Sequence, residues 1–230
     1  YKGWQRLSAT DNTIQYKLEQ TLSRILGESV EITGSGRTDA GTHAMHQVAN
    51  CHTNSQMPCE EILEQLRRYL PEDIGIESVR NVSERFHARL HAKTKTYRYR
   101  IWNSGSPCVF DRKYVAVDQR KLDVEKMEKA AQDFLGTHDF SAFCGNKNMK
   151  KSTVRTIFNF SVEQKGNEVV FTVTGNGFLQ HMVRIMVGTL LEIGTGERAE
   201  DCIPQLFGGK RMDAGAAAPS NGLCLMEVTY

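Results

Sequence analysis

The sequence predicts an α+β fold of two β-α-β-β-α-β units, with antiparallel sheets side by side around a central cleft. Three observations lead there. Segments with apolar residues at helical spacing alternate with segments of period two. The order of those segments repeats in the two halves of the chain. With 230 residues and 40% hydrophobic content, the chain can fill two small cores.

The first element is a helix over 12–26. Ile14, Leu18, Leu22 and Ile25 share a face, Asn12 can cap the start, and Gly27 can end it. A strand is expected over 30–34 and another over 44–53, where Val48, Asn50 and His52 alternate with Ala49 and Cys51. A second helix covers 59–70, with Ile62, Leu63, Leu66 and Leu70 inward and Pro71 as its stop. A strand over 74–82 closes the first unit.

The second half opens with a strand over 93–102, in which Tyr97 and Tyr99 face one side and Arg98 and Arg100 the other. A helix over 124–135 turns Met127, Ala130, Ala131 and Phe134 inward and ends before Gly136. Strands over 153–164 and 169–175 form a hairpin across Lys165-Gly166-Asn167. A strongly apolar helix follows over 178–193, then a closing strand over 223–230. The boundary falls near Leu90, giving units of 1–90 and 91–230. The first unit lacks the opening strand of the series, which places that strand ahead of Tyr1.

A net charge of +2 says little, but the charges are sorted. Arg85, Arg89, Lys93, Lys95, Arg98 and Arg100 form one stretch without acids, and Lys147, Lys150, Lys151 and Arg155 another. Such faces suit a phosphate backbone, although strand edges also carry lysine for other reasons. The six cysteines contain no C-x-x-C pair and read as small reduced core residues. No apolar run is long enough to span a bilayer and no secretory leader is visible, so a soluble cytoplasmic protein is expected.

The densest chemistry lies in Gly34-Ser35-Gly36-Arg37-Thr38-Asp39-Ala40-Gly41-Thr42-His43-Ala44-Met45-His46-Gln47. Glycines here allow a tight turn and close approach by another chain or a ligand. Asp39 can stand on such a turn as a single carboxylate, with Arg37 as a neighbouring cation that favours its charged form. Three other uses are possible. A phosphate cradle would need a third glycine where Asp39 stands, and a helix after it. A metal site of Asp39, His43 and His46 would need both imidazoles on one face, which a spacing of three on an extended segment denies. A structural turn with a capping Asp is the commonest use of such a composition.

Arg184 is the one arginine inside the most apolar helix, in Phe178-Leu179-Gln180-His181-Met182-Val183-Arg184. A charge placed there is costly unless paired, so a carboxylate partner is expected, with Asp39 as the candidate. Tyr97 on its basic strand can serve as a stacking platform for a nucleobase or as core.

The run Gly-Arg-Thr-Asp-Ala-Gly-Thr-His at 36–43, with Tyr1-Lys2-Gly3-Trp4-Gln5, closely resembles the tRNA pseudouridine synthase A family. The resemblance extends over almost the full length. It implies Asp39 as catalytic nucleophile, Arg184 as its partner, and Tyr97 packed on the target base and aiding proton transfer. Leu223, in Ala218-Pro219-Ser220-Asn221-Gly222-Leu223, would pack on the flipped base, and Cys224 stands where the family often has tyrosine. Arg37, and His87 and Arg89 in Arg85-Phe86-His87-Ala88-Arg89, would contact RNA. The implied substrate is tRNA, at uridines of the anticodon arm around positions 38 to 40, and the implied assembly is a homodimer. No cofactor and no metal is implied, since the reaction needs neither redox chemistry nor activated water. Two rivals are a non-catalytic RNA-binding protein of two RRM-like domains and a nucleotide-binding enzyme using the glycine turn.

Overall fold

The structure is a computed structural model that describes residues 1–146 and 148–230. In chain order its elements are α1 (Ile14–Leu26), β1 (Thr33–Gly34), β2 (His43–Ala44), β3 (Ala49–Asn50), α2 (Cys59–Tyr69), β4 (Thr94–Trp102) and β5 (Ala116–Val117). Then come α3 (Val124–Gln132), β6 (Gly136–Asp139), β7 (Val154–Lys165), β8 (Glu168–Gly175), α4 (Met182–Gly194), α5 (Ile203–Leu206) and β9 (Leu223–Thr229). Single 3-10 turns occupy Ser141–Phe143 and Ser220–Gly222. The class is α+β. The chain divides into two compact units, 1–41 with 47–92, and 42–46 with 93–230.

The first unit packs α1 and α2 over a core of Trp4, Leu18, Leu22, Val30, Ile32, Ile62, Leu66 and Leu70. Thr13, one residue after the expected Asn12, caps α1, and Gly27 ends it in the left-handed region at φ 69°. Its sheet is only the antiparallel pair β1–β3. The expected strand over 30–34 shrinks to two residues because α1 side chains take over its backbone groups. Val30 N donates to Ser23 Oγ (2.9 Å), Ile32 N to Glu19 Oε1 (3.0 Å), and Gln15 Nε2 donates to Ile32 O (3.0 Å). The buried Glu19 is completed by Arg6 Nη1 at 3.0 Å. The expected strand over 74–82 does not form. Arg67 on α2 donates to the carbonyls of Ile76 and Glu77, both at 2.9 Å, and so occupies acceptors that a neighbouring strand would use.

The second unit is built on a sheet of order β2-β9-β4-β8-β7-β6, with β5 beside β4. Its long elements run β4, α3, β7, β8, α4, β9. Long neighbours pair antiparallel, whereas β2–β9 and β4–β5 are parallel, so the sheet is mixed where a purely antiparallel one was expected. In β4, Tyr97, Tyr99 and Ile101 are buried and the alternating Arg98, Arg100 and Trp102 are half-buried. The β7–β8 hairpin closes over Gly166 at φ 60° and Asn167.

Two helix bounds differ from expectation. α3 stops at Gln132, and Gly136, expected as a terminator, instead opens strand β6. α4 begins at Met182, not at 178, because Gly177 (φ 157°) and His181 (φ 59°) leave the helical region. The expected strand over 44–53 is split between β2 and β3, which belong to different units.

A Cβ on Gly34 would lie 2.6 Å from the Trp4 ring. Gly34→Ala should therefore lower stability by about 1–3 kcal/mol through forced repacking of Trp4, read as a fall in the urea midpoint followed by tryptophan fluorescence.

Candidate active site

In the first unit, the residues around Asp39 form an excursion whose base is closed by hydrogen bonds. Ser35 N donates to Val48 O (2.7 Å), Ser35 Oγ to Gln47 Oε1 (2.5 Å), and Gln47 Nε2 to Gly36 O (3.1 Å). Ser35 is fully buried. The tip is held by the N-terminal residues. Trp4 N donates to Thr38 O at 3.0 Å, and Gly3 lies so close that a Cβ there would stand 2.7 Å from the same oxygen. Tyr1-Lys2-Gly3-Trp4-Gln5 is thus a brace: Gly3, at φ 104°, lets its backbone reach the residue before Asp39. Asp39 is half-buried. Arg37 is exposed and, among the described residues, makes no ion pair with Asp39.

The motif's continuation, Thr42 to His46, belongs to the second unit. His43 and Ala44 lie in register with Cys224 and Leu225, and His43 Nε2 is 2.8 Å from Lys113 O with its ring against Tyr114. His43 is therefore fixed by structural contacts. Among the described residues no three His, Cys, Asp or Glu side chains converge as a metal site.

In the second unit Tyr97 and Leu223 share one core, and Arg184 is hydrogen-bonded to Ala218 of that core. Tyr97 is 8% exposed and meets Phe178 edge-on, with ring centroids 5.2 Å apart. Beside it the β4–β9 register slips: Thr96 pairs with Glu227 and Tyr97 with Leu225, so Met226 is the extra residue. Bulges of this kind re-aim neighbouring side chains and are frequent next to active sites. Leu223 is 6% exposed, opposite Tyr99.

Arg184 is half-buried on an α4 whose other residues are almost all buried. Its Nε donates to Ala218 O at 2.7 Å, and Ala218 N donates back to Arg184 O at 2.9 Å. Ala218 is a site residue that sequence reasoning missed, because its contribution is a backbone carbonyl. The available signal was indirect, a run of small residues from Ala214 to Ala218 beside Pro219.

The two basic stretches are less open than the sequence implied. Arg100 is taken by Glu168, at 2.6 and 2.7 Å, and by Asp111. Arg155 Nη1 donates to the carbonyls of Ser152 and Val154. Lys93, Lys150 and Lys151 are exposed, and Lys147 lies outside the described residues. A groove of about 420 Å³ lined by Arg98, Arg100, Lys165, Glu168, Val170 and Thr172 occupies the sheet face opposite Tyr97.

Arg89 is exposed. His87 is half-buried and serves its own turn: its Nδ1 accepts from Arg89 N (3.1 Å) and Leu90 N (3.2 Å). Ala88 N donates to Asn50 Oδ1, which fastens the same turn to β3.

A family model described as tRNA pseudouridine synthase matches residues 1–90 and 130–230. The chain belongs to the tRNA pseudouridine synthase family. It is 44% identical to tRNA pseudouridine synthase A 2 of Bacillus anthracis over 231 positions, which take in 100% of this chain and 94% of that protein. It is 46% identical over the same coverage to tRNA pseudouridine synthase A of Acetivibrio thermocellus. The enzyme of that name from Bacillus sp. strain KSM-64 is 44% identical over 230 positions. The family match takes in Asp39, Arg184 and Leu223 but not Tyr97, which lies between its two segments and is spanned by the full-length relatives.

Tyr99 is fully buried, its hydroxyl donating to Pro219 O at 2.7 Å. Burial raises its pKa above the usual 10.0, the Arg184 cation pulls it back, and Asp118 adds to the rise. The folded protein keeps this proton where the unfolded chain loses it. The resulting stability is full below pH 10.0 and declines as pH rises above that value. Urea titrations from about pH 8 to about pH 11 should show this decline, and it should be shallower in Tyr99→Phe.

Proposed function

We propose that this chain isomerises uridine to pseudouridine in tRNA, with Asp39 as the nucleophile. The observation that carries the reading is the single carboxylate on a braced glycine turn, in a chain covered end to end by relatives named as tRNA pseudouridine synthases. The reaction breaks the N1–C1′ bond, joins C1′ to C5 and releases the C5 proton, while N1 gains a proton. The base must leave its stack to be reached. An ionised carboxylate can begin this by attack on sugar or base, or by taking a sugar proton.

In this reading Arg184 is the cation that pairs with Asp39 in the catalytic state. Its guanidinium, oriented by Ala218 O at Nε, suits a planar carboxylate. Tyr97 stacks on the target base and aids proton transfer, and Leu223 packs on that base. Arg37, Arg89 and His87 contact the RNA, His87 through the turn that it caps. Residues 1–90 carry the nucleophile, and 91–230 supply Arg184, Tyr97 and Leu223. The substrate is the anticodon arm, around positions 38 to 40, bound by a homodimer in the cytoplasm. Among the described residues no helix is long and apolar enough to cross a membrane, which is compatible with that location.

Tritium release from tRNA labelled at uridine C5 tests the reaction directly. Wild type should release label, and Asp39→Ala should lose activity by about a thousandfold or more at unchanged fold. No release from any tRNA would defeat the enzyme reading in favour of a binding protein, and an active Asp39→Ala would remove the nucleophile. Arg89→Ala should weaken tRNA binding severalfold and reduce the log–log salt slope by about one, as measured by filter binding at several salt concentrations.

A further inference from the structure

We infer that Thr189 is a positioning residue for the reaction, latching across α4 a strap, residues 214–219, that aims Arg184. The inference rests on the catalytic role proposed above for Arg184.

Arg184, Gly188 and Glu192 are four residues apart and form one stripe of α4. The strap follows that stripe. At its start, Gly215 N donates to Thr189 Oγ1 (3.0 Å) and Ala216 N to Glu192 Oε1 (3.2 Å). Glu192 is itself oriented by Arg198, whose Nε is 2.8 Å from Oε2. At its end, Ala218 N donates to Arg184 O, Ala218 O accepts from Arg184 Nε, and Pro219 O receives the Tyr99 hydroxyl. Between these points the two backbones nearly touch. A Cβ on Gly188 would lie 1.7 Å from Ala216 O, and one on Gly215 would lie 2.8 Å from the backbone of Thr189.

Thr189 is fully buried and uses both hydrogen-bonding capacities of its hydroxyl. It donates to Ile185 O at 2.8 Å, as a threonine inside a helix commonly does, and it accepts from Gly215 N. The second bond does nothing for the helix. It fixes where the strap starts, and three residues later the strap supplies the carbonyl that orients the Arg184 guanidinium. The strap has no ladder partners and only small side chains, so these bonds, the burial of Ala214 and Ala218 in the core and the close fit at Gly188 set its placement.

The test compares Thr189→Val and Thr189→Ser by tritium release, with rates expressed per folded protein from circular dichroism. Thr189→Val should lower kcat about tenfold with KM for tRNA unchanged, since a small displacement of a catalytic group costs rate before it costs binding. Thr189→Ser, which keeps donor and acceptor, should restore most of that rate. In an Arg184→Lys background, Thr189→Val should add little, because both changes act through one side chain. A wild-type kcat in Thr189→Val, a Thr189→Ser as slow as the valine variant, or losses that multiply in full in the double variant would each overturn the inference. Arg184→Ala separates the two levels. If it is fully active, the role of Arg184 fails and the inference with it. If it is inactive while Thr189→Val is unaffected, only the strap's role fails.

Discussion

The second unit depends on one close approach of two backbones, at Gly188 and Ala216. Only hydrogen fits between them. From that crossing the chain runs along α4 to Ala218, which holds Arg184, and to Pro219, which accepts from Tyr99 on the central strand. One short turn later it enters β9 at Leu223. The position of an arginine, of a buried tyrosine and of a leucine at the strand start are therefore set along one uninterrupted piece of chain. Gly222 repeats the device, since a Cβ there would meet both the Arg100 carbonyl and the Tyr99 ring. The sequence tolerates a glycine in the middle of an apolar helix, which costs about 1 kcal/mol relative to alanine, because the packing it permits organises everything downstream.

The glycine turn is organised by the same physics with different parts. Gly3 and Gly34 admit the Thr38 carbonyl and the Trp4 ring, and Ser35 and Gln47 close the base. In both places glycine allows contact, and hydrogen bonds to backbone groups hold it. The contrast with the basic strand is instructive. Its charges looked free in the sequence, yet Arg100 is neutralised by Glu168 and Asp111 from distant positions. Charge sorting along a chain locates cations without revealing which of them the fold has already used.

Much of the fold was legible because it rests on side-chain periodicity and turn chemistry. Tyr97, Tyr99 and Ile101 alternate as a central strand must, Gly27 ends its helix, and Gly166 with Asn167 turns the hairpin. The misread segments are those where a side chain replaced a backbone partner. Arg67 takes the carbonyls of Ile76 and Glu77, and Ser23 and Glu19 take the amides of Val30 and Ile32. An apolar pattern remains in both, but the ladder is cut to two residues in the first and absent from the second. Arg184 stood out as the one arginine in an apolar helix. Ala218 could not, because a carbonyl oxygen is common to every residue.

The strap also bears on motion. Exposed connecting segments usually open on fast timescales, with amides that exchange readily with solvent. Residues 214–218 are bonded at Gly215, Ala216 and Ala218 to a helix buried along most of its length. Moving the strap means prising it from α4, so this irregular stretch keeps the helix's time rather than a loop's. An arginine held from it is still on the timescale of bond rearrangement in its surroundings, which is the condition for charge to be stabilised without the surroundings first having to reorganise.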